Sequence, residues 1–166
     1  MKRIFSALLC AFIIIFALSG CDMLFPKPKT FTYGDMSIDL TTAFIELTPN
    51  ESDDEWTVAK YGTVDMALIV SEYKFEDIIE SLSGKSAAEF ARYTFEKEIS
   101  FVEGEELCYF ETVSEADGEE MYLIAFFYKS EGAFWEFIFG SSDKDREKFK
   151  STVTEYAKSV RFGGEE

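Results

Sequence analysis

Beyond residue 30, apolar and polar positions mostly alternate, and in two places they switch to a helical rhythm. "TFTYGDMSIDL" alternates as a first strand, with Phe31, Tyr33 and Asp35 on one side and Thr32 and Gly34 on the other. "AFIELT" predicts a short second strand or a turn, stopped by Pro49. "NESDDE" is a polar loop. "WTVAKYG" and "VDMALIVSEYKF" then predict two strands joined at Gly62 and Thr63.

"SAAEFARYTFEKE" predicts a helix. Ser86 with Glu89 three residues on is a capping box, and Ala87, Phe90, Ala91 and Thr94 or Phe95 form its apolar face. Three strands follow, "ELCYFETVS", "EMYLIAFFYKS" and "AFWEFIFGS", joined at Asp117-Gly118 and Glu131-Gly132 as a β-meander. The middle strand carries Met121, Leu123, Ala125 and Phe127 on one face and Tyr122, Ile124, Phe126 and Tyr128 on the other. A strand with one wet face alternates apolar with polar, so this one is expected to be covered on both sides. "DKDREKFKSTVTEYAKSV" predicts the last helix. Ser142 and Asp145 form its cap, and Phe149, Val153, Tyr156, Ala157 and Val160 its buried face. The expected fold is α/β (α+β): an antiparallel sheet ending in a meander, with helices on both faces as an α/β/α sandwich.

The start of the chain follows another rule. Lys2 and Arg3 precede a run from Ile4 to Leu18 that is apolar apart from Ser6, and small residues follow. That is the layout of a secretory signal peptide, and the run is shorter than a comfortable bilayer crossing. The alternative is an uncleaved membrane helix. Cys21 ends the segment, and a nucleophile, half of a disulfide and a membrane anchor are its three readings. Its setting, "LSGC", resembles the lipobox of bacterial lipoproteins. The resemblance implies diacylglycerol on Cys21 and cleavage between Gly20 and Cys21, and hence an anchor. Two or more acyl chains hold a protein stably at a membrane, where one does so marginally. Asp22 after that cysteine resembles the inner-membrane retention signal of Gram-negative lipoproteins and has no such meaning in a Gram-positive cell. Either envelope places the domain on the outer, extracytoplasmic face of the cell membrane.

The expected organisation is a signal at 1–20, the lipidated Cys and a linker at 21–29, one domain at 30–163 and a tail at 164–166. Pro26 and Pro28 stiffen the linker. Cys10 leaves with the signal and Cys21 is acylated. Cys108 then stands alone, no intramolecular disulfide is possible, and its apolar strand marks it as a buried structural thiol.

Charge narrows the function. Loss of residues 1–20 takes Lys2 and Arg3 and no acid, which moves the net charge from −16 to −18. Nucleic acid and anionic headgroups are thereby disfavoured as partners. The chain has no histidine, so Ser-His-Asp and Cys-His catalysis and imidazole zinc sites are excluded. Gly84-Lys85-Ser86 lacks the upstream glycine and the strand of a phosphate loop, and the helix cap accounts for Ser86. Glu76 and Glu80 have the spacing for a carboxylate pair, but a solvated face explains them. Acids cluster in "NESDDE" and "EADGEE". Asp53, Asp54, Asp117 and Glu119 are weak metal candidates there, without the twelve-residue calcium-loop pattern. In the meander, the 115–120 turn lies at one end, and Glu131 with Glu103, Glu105 and Glu106 at the other, so the acids form two poles. Trp56 and Trp135 read as core; lining a ligand pocket is the alternative.

The order of elements, with "MSIDLTTAF", "AAEFARY", "GEEMYLIAFFYKSEGAFWEFIFGSS" and "FKSTVTEYAKSVRF", resembles the PsbP-like domain of the Mog/PsbP superfamily, which DcrB-type bacterial lipoproteins share in related form. Leu40-Thr41 stands where that family usually has Leu-Pro. The resemblance implies a non-catalytic binding or assembly-assisting module. Together with the lipid anchor and the missing catalytic groups, it leads to the expectation of a module that binds or assists assembly of an envelope protein complex, with no cofactor. The partner would be a protein met through an exposed sheet edge or an acidic pole, and the membrane would be met through the lipid on Cys21. The alternative expectation is a binding module for a metal cation or small cationic ligand.

Overall fold

The computed structural model describes residues 26–49, 53–116, 119–142 and 145–163, with only the backbone of Ala116 and Glu119. Gly20, Cys21 and Asp117 lie outside these residues, as does the whole apolar leader. No described helix is long and apolar enough to cross a membrane.

β1 (Pro28–Tyr33) and β2 (Met36–Thr41) form an antiparallel hairpin. This corrects the expected single first strand, and it starts the folded chain two residues inside the stretch read as linker. Gly34 makes the turn possible, because its φ of +57° is a conformation that L side chains rarely adopt. The hairpin also lets Phe31 and Met36 both point inward. Five positions apart, they would face opposite sides of one continuous strand.

β3 (Ile45–Leu47), β4 (Thr57–Gly62) and β5 (Ala67–Lys74) follow the predicted order. A short helix, α1 (Glu80–Ser83), precedes α2 (Ala87–Phe95). The capping box of α2 is formed as expected: Glu89 N–H donates to Ser86 Oγ at 3.3 Å, and Ser86 N–H to Glu89 Oε2 at 2.9 Å. The buried face of α2 is Ala88, Phe90 and Ala91, with Ala87 and Phe95 partly covered and Thr94 exposed. Next come β6 (Ser100–Phe101), the meander β7 (Cys108–Ala116), β8 (Glu119–Lys129) and β9 (Ala133–Ser141), then α3 (Arg146–Lys158) and β10 (Arg161–Phe162). Asp145 rather than Ser142 caps α3, accepting the Lys148 N–H at 3.1 Å. Its buried face is Phe149, Val153 and Ala157.

The strands make two sheets, one ordered β1-β2-β10 and one ordered β3-β4-β5-β9-β8-β7-β6. The large sheet is the middle layer. On one face Ile124, Phe126, Trp135, Phe137 and Phe139 pack against α3 and the inward residues of β2, Met36, Ile38 and Leu40. On the other, Phe127, Phe134, Cys108 and Ala125 pack against Phe90 and Ala91 of α2. Helices therefore cover both faces, and the small sheet shares the layer of α3. Coverage by α1 and α2 stops partway. Met121, Leu123, Ile69 and Ile138 of the same face stay partly exposed, so the expectation of full cover for β8 holds at Ala125 and Phe127 only.

Ring contacts knit the layers. Phe90 stacks on Phe134 with centroids 4.2 Å apart, and Phe162 of β10 lies 5.3 Å from Trp135 and 5.8 Å from Tyr128. Lys150 of α3 pairs with Glu111, which also accepts the Tyr122 hydroxyl. Burial pushes the Glu111 carboxyl up, but the Lys150 and Tyr122 bonds outweigh it and hold it below the usual range.

Candidate functional site: an acid-rimmed aromatic groove

Both sheets end at one pole of the molecule, and a groove of about 1420 Å³ opens between them. The start of α2 lines it with Ser86, Ala87 and Ala88, and three further segments build the rest. The first is the β6–β7 turn. Gly104 at φ +78° allows the tight reversal, and Val102 N–H donates to Leu107 C=O at 2.9 Å across it. This sets Phe101 and Leu107 in the groove and Glu105 and Glu106 on its rim. The second is the β8–β9 turn, which brings Tyr128 and Glu131. The third is the end of the chain after α3, where β10 lays Val160 and Phe162 along the wall beside Asp35 of the β1–β2 turn.

The two cations on the lining are already engaged. Lys129 Nζ donates to the carbonyls of Ser83 and Lys85, both at 2.8 Å, closing the end of α1. Arg161 grips Asp39 with both contacts at 3.0 Å. The carboxylates of Asp35, Glu105, Glu106 and Glu131 make no hydrogen bond or ion pair with a described residue. The groove therefore offers an apolar aromatic floor under a negative field. Such a surface favours a cationic, partly apolar ligand. The one described thiol is off the lining and inert: Cys108 is 1 % exposed, Sγ donates to Phe127 C=O at 3.8 Å, and burial pushes the thiol up to about 11.

A second acidic feature lies inside the fold. Glu136 of β9 is 3 % exposed, between Phe134 and Ile138. Tyr73 donates its hydroxyl to Oε2 at 2.8 Å, and Oε1 has no partner. Burial pushes this carboxyl up to about 7; the Tyr73 bond works against the rise and the charge of Asp54 adds to it. The Tyr73 phenol is raised by burial and by Glu136. Trp56, 5.4 Å from the Tyr73 ring, partly covers the pair.

The expected site residues fall as follows. Of the two poles read from the meander, the one with Glu105, Glu106 and Glu131 forms the groove rim. Asp35 joins it through the pairing of β2 with β10, seen only in three dimensions. Asp53 is paired with Lys60 at 2.8 Å, and Asp54 accepts the Trp56 N–H at 3.0 Å, closing its own loop. Asp117 and the Glu119 side chain lie outside the described residues. Among the described residues, no three of His, Cys, Asp or Glu are placed to hold a metal ion. Glu76 and Glu80 are exposed, and Trp135 is core. Glu136 was missed, although an acid inside "FWEFIF" is the kind of polar break that marks a buried charge.

No protein-family model and no curated protein sequence matches the chain. Solved structures do. A crystal structure of a protein from Bacteroides thetaiotaomicron superposes with a TM-score of 0.59 at 12 % identity, covering 82 % of this chain and 49 % of that one. This chain thus spans about half the length of that protein. The solution structure of cyanobacterial PsbP from Synechocystis matches with a TM-score of 0.50 at 10 % identity, over 87 % of this chain and 96 % of that one. At such identities the likeness is one of fold. The fold is a PsbP-like α+β sandwich, as the order of elements in the sequence implied.

Proposed function

We propose that this is a non-catalytic accessory lipoprotein that captures a basic segment of an envelope protein complex in its acid-rimmed groove. Lipid on Cys21, after cleavage behind Gly20, would hold it to the outer face of the membrane, and the acidic body would stay clear of anionic headgroups. The observation that carries the reading is the groove itself, with four carboxylates that pair with no described residue around an aromatic floor. The lipobox supports the location, and the lack of histidine and of a reactive thiol supports the absence of catalysis.

The test is in-cell crosslinking of the tagged, lipidated protein, read by mass spectrometry. One partner is expected to dominate. It should be lost with Cys21→Ser and fall at least about tenfold when Glu105, Glu106 and Glu131 are all changed to Lys, a drop on the order of 1.4 kcal/mol or more. An unchanged partner in the triple variant would place the interface elsewhere. Hydrolysis by the purified protein that a single carboxylate replacement abolishes would overturn the non-catalytic reading.

The buried acid gives a second reading, a module for a metal cation or small cationic ligand. Its support is the unpartnered Oε1 of Glu136, with Asp54 and Tyr73 close by. A cation that binds the folded state raises the melting temperature. On this reading a panel of calcium, manganese and polyamines produces a rise that Glu136→Gln removes; a flat panel counts against it.

A further inference from the structure

We propose that the groove's occupant is an extended segment that adds itself as a strand to the free edge of β10; this rests on the reading of the groove as the binding site. β10 pairs with β2 through Arg161↔Ser37 and Phe162↔Met36, and Gly163 N–H donates to Asp35 C=O at 3.1 Å. In an antiparallel ladder that bond brackets Phe162↔Met36 as a non-hydrogen-bonded pair. The N–H and C=O of Phe162 therefore point away from β2. No described strand continues the small sheet beyond β10. Phe162 lines the groove, and its ring is held by Trp135 and Tyr128, so the edge is fixed in place before any ligand arrives.

A second edge faces the same space. β6 ends the large sheet, and the bond from Val102 N–H to Leu107 C=O brackets Phe101↔Cys108 in the same way. Phe101 thus turns its backbone groups away from β7, and its side chain is 52 % exposed. Unpaired edge groups are a template for another strand, and proteins commonly blunt them with proline and lysine. The opposite edge of the small sheet is blunted so, by Pro28 and Lys29 on β1. β10 has no proline, and its one cation, Arg161, is turned onto Asp39.

Side chains of an added strand alternate between its two faces. One set would meet Leu107 and Tyr128 of the floor; the other would meet Asp35, Glu105, Glu106 and Glu131. The fitting sequence alternates apolar with cationic residues.

The lipidated protein in detergent micelles is to be titrated at low salt with three capped octapeptides. These are alternating Lys-Val, the same peptide N-methylated at every second backbone nitrogen, and a block of four Lys followed by four Val. The alternating peptide is expected to bind, the N-methylated one at least tenfold more weakly, and the block peptide more weakly than the alternating one. Amide hydrogen exchange at Phe162 should slow in the alternating complex alone. Equal binding of the N-methylated peptide, with Phe162 exchange unchanged, would overturn strand addition and leave the groove reading standing. Failure of all three peptides to bind would overturn the groove reading and this proposal with it.

Discussion

Replacing Glu136 by glutamine is expected to raise the melting temperature at pH 8 by roughly 10 °C, and by only a degree or two at pH 5. The sign follows from proton linkage. In the fold the carboxyl is pushed up to about 7, chiefly by burial, from the ordinary value of 4.5. Between these limits the folded chain keeps a proton that the unfolded chain has lost, so stability falls as pH rises and levels off above about 7. The full loss is on the order of 3 kcal/mol. It is a physical cost: an ionised carboxylate 3 % exposed, with one oxygen unpartnered and the negative charge of Asp54 nearby. Glutamine has nearly the shape of the protonated acid and still accepts the Tyr73 hydroxyl, so the variant loses the pH dependence and little else. The measurement is the difference in melting temperature between the two proteins from pH 5 to pH 8. Other acids, such as Glu72, titrate equally in both and cancel. A constant difference across that range would show that Glu136 does not titrate in the fold.

The same residue shows where sequence reading stops. The meander and α3 were legible because each rests on a local rule: glycine turns between alternating strands, and apolar residues at helical spacing from Phe149 to Ala157. The capping box at Ser86 is a four-residue pattern and formed as read. The hairpin at Gly34 was present in the sequence but masked by an alternation that continued plausibly through it. The five-residue gap between Phe31 and Met36 was the sign of a break. The end of α3 facing the meander was misassigned by three residues because Ser142 and Asp145 are both good caps. The groove is harder. Its β6–β7 and β8–β9 acids follow from meander topology, but Asp35 and Phe162 are 127 positions apart and meet only because β10 returns to pair with β2. Long-range pairing of a two-residue strand leaves no local pattern. Nor does any pattern show that α2 ends before it covers Met121 and Leu123, since cover depends on the length of a helix relative to the sheet beneath it.

Trp135→Ala is expected to be the most damaging single change, costing about 3–5 kcal/mol and lowering the melting temperature by roughly 10–15 °C. Trp135 is 1 % exposed and is the largest of the fully buried side chains. It joins three elements. Its place in β9 is paired with Glu72 of β5 and Tyr128 of β8. Its indole Nε1–H donates to Ser130 Oγ at 3.2 Å, and that oxygen also accepts the Ala133 N–H at 3.2 Å within the β8–β9 turn. Its ring supports Phe162 of β10. Alanine would leave a cavity that a seven-stranded sheet cannot close by local movement, because neighbouring strands hold β9 in register on both sides. The loss should also reach the groove. Without the indole, β10 keeps its short pairing with β2, the Arg161–Asp39 bonds and the Tyr128 contact, so amide exchange at Gly163, whose N–H donates to Asp35 C=O, should speed up more than exchange in β8. Trp56→Ala is the comparison: that ring is only partly buried, covers the Tyr73–Glu136 pair and has no part in the groove. It should cost less and leave groove binding unchanged. Equal loss of peptide binding in both variants would mean that binding follows global stability; loss in Trp135→Ala alone, at a temperature where both are folded, would tie the groove to the wall this tryptophan supports.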